Sequence, residues 1–138
     1  MATYKTASAD ETKKLGARLA KTLTGVIALT GDLGSGKTTF VQGFAKGLGI
    51  KTKILSPTFV LVRQHPVPHS KKILYHIDLY RLENNEHIKH SGIEELINNT
   101  GNIVLIEWAE KAKTLLPKDT HWITFKNTGD NSREILID

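Results

Sequence analysis

At 138 residues the chain has the length of one domain, and its 39% hydrophobic and 24% charged residues fall in the globular range, which excludes wholesale disorder. It has no cysteine, so disulfides and thiolate metal sites are excluded, and no apolar run approaches the ~20 residues of a membrane-spanning helix. Lysine and arginine number 19 against 14 acidic residues, and the resulting +5 suits nucleic acid, an acidic protein or nucleotide phosphates; the lysines are nevertheless scattered, with only Lys13-Lys14 and Lys71-Lys72 adjoining.

Met1 to Lys5 lacks the apolar stretch of a secretory signal, so a cytoplasmic protein with no membrane association is expected. Ser8-Ala9-Asp10-Glu11 fits a helix capping box, and Leu15, Leu19 and Leu23 continue it as an amphipathic helix. Past Gly25, the run Val26-Ile27-Ala28-Leu29 is apolar throughout, as a strand covered on both faces of a parallel sheet would be. A glycine-rich turn follows, then Phe40, Val41, Phe44, Ala45 and Leu48 at helical spacing, ended by Gly49.

Pro57 bars helix at Ser56, Phe59-Val60-Leu61-Val62 is strand-like, and Pro66 and Pro68 end that segment in a loop. Ile73–Ile77 is a further strand closed by Asp78, Ser91-Gly92-Ile93-Glu94 opens a short helix, and Ile103–Ile106 is a strand ending at Glu107. Ala109–Leu116 reads as helix up to Pro117, and Trp122–Phe125 with Glu134–Ile137 reads as a hairpin about Thr128-Gly129-Asp130-Asn131. The sum is a single α/β domain over residues 1–138 of the P-loop NTPase kind, a three-layer sandwich whose central sheet is mainly parallel with antiparallel additions.

Gly31-Asp32-Leu33-Gly34-Ser35-Gly36-Lys37-Thr38 satisfies G-x-x-x-x-G-K-[ST] in full. Gly31, Gly34 and Gly36 let successive backbone N–H groups turn inward around an anion, and a helix starting near Lys37 points its positive end at the same place. Lys37 then supplies a point charge to the β- and γ-phosphates, and the Thr38 hydroxyl is placed for Mg²⁺. Chance yields such an octet in roughly one chain of this size in two hundred, so the strand before it and the helix after it decide for a nucleotide site spanning Gly31–Thr39. The substrate expected is ATP with Mg²⁺, GTP being the weaker choice.

Hydrolysis also needs a carboxylate at the end of a neighbouring buried strand. Glu107 and Asp78 both qualify; Glu107 is the expected metal ligand beside Thr38, with Asp78 acting through a water or positioning the attacking one. Ser56-Pro57-Thr58 occupies the place of a nucleotide-sensing switch, where the Thr58 hydroxyl would meet the γ-phosphate. His87-x-x-His90 and His65-x-x-x-His69 have metal-like spacing without a third ligand, and are read as surface histidines. His76 lies in a buried-looking strand and is placed to hydrogen-bond near the site.

The P-loop with Thr39, then Ser56-Pro57-Thr58-Phe59, His76-Ile77-Asp78-Leu79-Tyr80-Arg81 and Glu107-Trp108, occur in an order that resembles the TsaE family, over nearly the whole chain. The resemblance implies a weak ATPase needed for threonylcarbamoyladenosine in tRNA, which binds a heterodimer of the transferase subunit TsaD with its inactive paralogue TsaB. Turnover there would be stimulated and would reset the complex, with tRNA contacted indirectly or weakly. It also implies Thr38 and Glu107 at Mg²⁺, Asp78 beside the nucleotide, Arg133 near the base, and Tyr80, Arg81 and Trp108 near the partner. Glu86-His87-Ile88-Lys89-His90 departs from the glutamate-rich segment usual in that family.

Two alternatives use the same loop or charge. A small-molecule kinase needs an acceptor pocket and an arginine-bearing lid, but only Arg18, Arg63, Arg81 and Arg133 are available; a GTPase needs N/T-K-x-D, which Pro117-Lys118-Asp119 does not supply. A nucleic-acid module rests on the +5 alone, without interleaved aromatics.

Overall fold

The two most apolar runs of the sequence lie side by side at the centre of the sheet. Strand β2 (Gly25–Thr30) pairs in parallel with β5 (Ile103–Glu107), Gly25 opposite Ile103 and Leu29 opposite Glu107. Helices cover both faces of this pair, so neither strand alternates polar with apolar residues. The computed structural model describes residues 2–52, 54, 62–82, 85–98 and 101–138.

Five further strands extend the sheet: β1 (Ala2–Thr6), β3 (Val62–Pro66), β4 (Ile73–Asp78), β6 (His121–Asn127) and β7 (Arg133–Ile137). The order is β1-β7-β6-β2-β5-β4-β3. The four inner strands β6, β2, β5 and β4 are parallel, and β7, β1 and β3 are antiparallel additions at the edges, as expected. β1 escapes a sequence reading because its residues become a strand only by pairing with β7. β3 runs further than Val62, through Arg63 and His65 to Pro66; Phe59–Leu61 lie outside the described residues. Pro66 is tolerated because it ends an edge strand, where one ladder face is empty.

Helices α1 (Ala9–Leu19) and α2 (Lys37–Gly47) lie on one face of the sheet. Phe40, Val41 and Phe44 of α2 are fully buried there against Ile27, Leu29 and Leu105. On the other face α3 (Asn85–His90), α4 (Ile93–Asn98) and a 3₁₀ helix (Ala109–Leu115) bury Ile88, Ile93, Ile97 and Ala109 against Val26, Ala28, Ile77 and Ile106. The expected α-helix after Glu107 is thus a 3₁₀ helix, kinked at Ala112.

Local chemistry sets the helix ends. Ser8 Oγ accepts from Glu11 N at 3.1 Å, while Glu11 Oε1 reaches back to Ala7 N at 3.2 Å, one residue earlier than in the usual box. Gly49, with φ of 87°, closes α2, and Ile50 N bonds Ala45 O at 3.0 Å. The Ser91 box is used differently: its hydroxyl donates to Ile88 O and faces Ile93 N at 3.5 Å, so it joins α3 to α4 without engaging Glu94. The α1–α2 contact is backbone against backbone. A Cβ on Gly43 would stand 2.0 Å from Lys13 O, and one on Gly47 2.4 Å from Ala17 O.

Candidate nucleotide site

The carboxyl ends of β2, β4 and β5 converge on one cleft of about 240 Å³, lined by Gly34, Lys37, Thr38, Asp78, Glu107 and Trp108 among others. Parallel pairing dictates this convergence: Asp78 stands directly opposite Glu107, and Glu107 opposite Leu29, the penultimate residue of β2 before the loop. Open α/β sheets present ligand sites at this end of their strands.

The loop leaves β2 through Gly31 and enters α2 through Gly36. Gly34 and Gly36 have φ of 76° and 104°, which side-chain-bearing residues rarely adopt, and a Cβ on Gly31 would lie 2.7 Å from Phe125 O. Gly36 ends the loop at the helix N-terminus without a side-chain cap, leaving the first-turn amides for something else to satisfy. Ser35 is buried and its Oγ has no hydrogen-bond partner. The turn thus holds a buried unpaired hydroxyl and an uncapped helix start.

Lys37 is buried and folds back over this turn, donating to Gly31 O and, at 3.4 Å, to Asp32 O. Its Nζ also stands 3.8 Å from the centre of the Trp108 ring. Burial pushes its pKa below the ordinary 10.5, against an opposing pull from Glu107, Glu110, Asp78 and Asp32. A lysine so desolvated gains from a nearby polyanion.

Thr38 Oγ1 donates to Glu107 Oε1 at 2.9 Å, which brings both expected metal ligands together from α2 and β5. The second carboxylate oxygen, Oε2, lies 2.5 Å from His76 Nε2, and both residues are buried. Asp78 is buried beside them, accepting from Tyr80 N at 2.9 Å. Two hard oxygen ligands suit Mg²⁺, which commonly takes one or two from protein and the rest from phosphate and water. Among the described residues no group of three or more histidines or carboxylates is placed to hold a metal by itself.

Of the other expected site residues, Asp32 and Leu33 are exposed on the loop and Thr39 is half-buried in the first turn of α2. Thr58 lies outside the described residues. Arg133 lines the cleft from β7, but its guanidinium is largely spent on backbone: Nε donates to Ser35 O and Nη2 to Gly34 O, each at 3.1 Å, and Nη1 to the carbonyls of Gly129, Asp130 and Ser132. It buttresses the phosphate loop. Trp108 occupies a left-handed conformation, φ 58°, and its ring lies 5.2 Å from that of the exposed Tyr80, forming an aromatic lip. For His76 the pattern of residues indicated only a hydrogen bond near the site; its place in an apolar strand and its two-residue spacing from Asp78, which puts both on one face, were the signals for it.

Residues 6–135 match the model of a protein family described as "Threonylcarbamoyl adenosine biosynthesis protein TsaE". The tRNA threonylcarbamoyladenosine biosynthesis protein TsaE of Bacillus subtilis is 40% identical over 97% of this chain and 83% of its own length. Its counterpart in Treponema pallidum is 39% identical over 94% of this chain and 95% of its own. The crystal structure of Bacillus subtilis YdiB superimposes with a TM-score of 0.77 at 34% identity, over 97% of this chain and 82% of the other.

Proposed function

Since the chain belongs to the TsaE family and so takes part in tRNA threonylcarbamoyladenosine biosynthesis, we propose that it does so as a magnesium-dependent ATPase that works in the cytoplasm on the TsaB–TsaD complex. The observation that carries the ATPase reading is the Thr38–Glu107 hydrogen bond, set in the cleft that Gly34, Gly36 and Lys37 of the loop and the first turn of α2 line together.

In this reading the loop amides from Gly31 to Thr39 and the Lys37 ammonium bind the phosphates. Thr38 and Glu107 hold Mg²⁺, which would neutralise charge developing on the transferred phosphoryl group. Asp78, one strand from Glu107, orients the attacking water. Water is the nucleophile. Tyr80 and Trp108 form a surface to which a partner protein can couple, because a ring packed on the Lys37 ammonium shares its position with the phosphates' principal cation. A small P-loop kinase or a GTPase would use the same loop and is the competing reading.

Calorimetry with Mg-ATP and Mg-GTP tests binding, and phosphate release with and without the purified heterodimer tests catalysis. ATP binding abolished by Lys37→Ala, with hydrolysis slow alone and accelerated by the heterodimer, is the expected result. Phosphate transfer only to an added acceptor, or equal competition by GTP and ATP, would favour the competing enzymes.

A further inference from the structure

The basic residues that look scattered in sequence are gathered by the fold. Helix α1 rides on α2 through Gly16, Gly43 and Gly47, so closely that Lys46, the exposed residue of α2, joins the solvent-facing residues of α1 in one surface. Two adjoining grooves cross that surface. One is lined by Lys13, Lys14, Arg18, Lys21 and Lys46, the other by Lys13, Lys46 and Lys51, so Lys13 and Lys46 belong to both. All six cations are exposed, and Asp10, paired with Lys14 at 3.1 Å, is the single acid lining either groove. From totals of 19 basic and 14 acidic residues, this leaves 13 of each for the rest of the chain, so these two grooves account for the whole net charge; the next acid of α1, Glu11, lies on the Tyr4 side of Lys14 and Arg18.

We propose that the α1–α2 face binds the phosphate backbone of structured RNA, tRNA being the one within reach of a protein of this biosynthetic route. The face is remote from the nucleotide cleft: Lys46 lies nine residues along α2 from Lys37, roughly 14 Å of helix. Its chemistry selects among polyanions. A bilayer-binding surface pushes apolar side chains into lipid, yet the large exposed hydrophobics among the described residues, Leu33 and Tyr80, both border the cleft. An acidic protein would need aromatic or apolar anchors at the centre of the contact, and the isoleucines lining the grooves, Ile50 and Ile54, are themselves buried, which leaves lysine chains at the surface. Single strands are held by stacking, and the aromatic neighbour Tyr4 is covered by the Arg18 guanidinium, 5.5 Å from the ring centre. Five lysine point charges, with the one guanidinium fork, that of Arg18, stacked on Tyr4, fit phosphates on a folded helix, which position a protein without specifying sequence.

Fluorescence anisotropy of the full chain with an unmodified tRNA transcript, in the absence of nucleotide, tests this. Affinity should fall about a hundredfold between about 50 and 200 mM salt, as expected for about four phosphate contacts. Lys13→Gln/Lys46→Gln/Lys51→Gln should bind at least about tenfold more weakly and flatten the salt slope by about 2. Lys71→Gln/Lys72→Gln/Lys126→Gln, which removes the same charge elsewhere, should retain the wild-type slope and affinity. Lys37→Ala should also bind tRNA normally, so that loss of ATP binding and loss of RNA binding are read separately. The proposal is overturned by absence of tRNA binding at low salt, by equal weakening in both triple variants, or by an unaffected groove variant. Groove-dependent binding to phosphatidylglycerol vesicles, or to an acidic partner protein, without RNA binding would overturn it equally.

Discussion

His76 and Glu107, on adjacent parallel strands, meet through a hydrogen bond of 2.5 Å between imidazole Nε2 and carboxylate Oε2. The other imidazole nitrogen, Nδ1, is buried without a partner, so this single bond fixes the ring. A carboxylate oxygen can only accept, so the hydrogen bond runs from Nε2–H to Oε2, and Oε1 is the oxygen that accepts from Thr38. His76 is thus a positioning residue for the expected metal ligand. His76→Ala should weaken magnesium-dependent hydrolysis about 10- to 100-fold, mainly by raising the magnesium concentration required. His76→Gln, which retains a donor, should recover part of it. Equal magnesium dependence in wild type and alanine variant would refute the assignment.

Lys37 places an ammonium where burial disfavours it. A lysine with a lowered folded-state pKa costs stability while both states are charged, and the cost is relieved as pH rises from that value towards the ordinary 10.5. Lys37→Met should therefore leave the nucleotide-free protein at least as stable as wild type at neutral pH, and flatten the alkaline rise, in urea unfolding. The same variant should show no stabilisation by Mg-ATP, whereas wild type should gain about 2.7 kcal/mol at a hundredfold excess over Kd. A methionine variant clearly less stable without ligand would mean that the carbonyl bonds to Gly31 and Asp32 outweigh desolvation.

What could be read from sequence was what local pattern or strand burial determines. The Gly31–Thr38 loop is a contiguous octet, and Asp78 and Glu107 were recognisable because each closes a buried apolar run. Their mutual position required the parallel pairing of β4 with β5, which no single segment encodes. β1 depends wholly on β7, and the Ser91 cap was diverted by Ile88, a residue of the preceding helix. The cationic face was the least legible: Lys13 and Lys46 are 33 positions apart and become neighbours through the glycines of the helix crossing.

Gly43 supplies the sharpest test of that crossing. Its φ is not in the left-handed region, so alanine meets no backbone strain and would gain about 1 kcal/mol of helix propensity. The added methyl would nonetheless stand 2.0 Å from Lys13 O and 2.5 Å from its Cα, both backbone atoms that only a shift of α1 can move. Gly43→Ala should destabilise by about 1–3 kcal/mol net, roughly 4–12 °C in Tm. Gly129→Ala, whose methyl would meet Ser132 Cβ at 3.6 Å, should change stability by less than about 0.5 kcal/mol. Calorimetric melts of the two variants decide it; similar melting points would mean that the helices separate without cost.

His65 should make the fold acid-sensitive before its carboxylates titrate. Burial, then the nearby His76 and Arg63, hold its pKa below the ordinary 6.5, and its Nε2 is buried without a hydrogen-bond partner. The folded state consequently prefers neutral His65. Above pH 6.5 both states are neutral there and its contribution to stability is complete; as pH falls below 6.5 the unfolded chain takes up the proton first, and stability is lost until the folded-state pKa is reached. The loss from one such group cannot exceed about 1.4 kcal/mol per pH unit. His65→Gln removes the titration while keeping a polar side chain on the edge strand. Urea unfolding between about pH 7.5 and 4.5 should show the wild-type curve steeper than the variant's in the upper part of that window. Parallel curves would mean that water reaches the imidazolium on β3 as freely as in the unfolded chain.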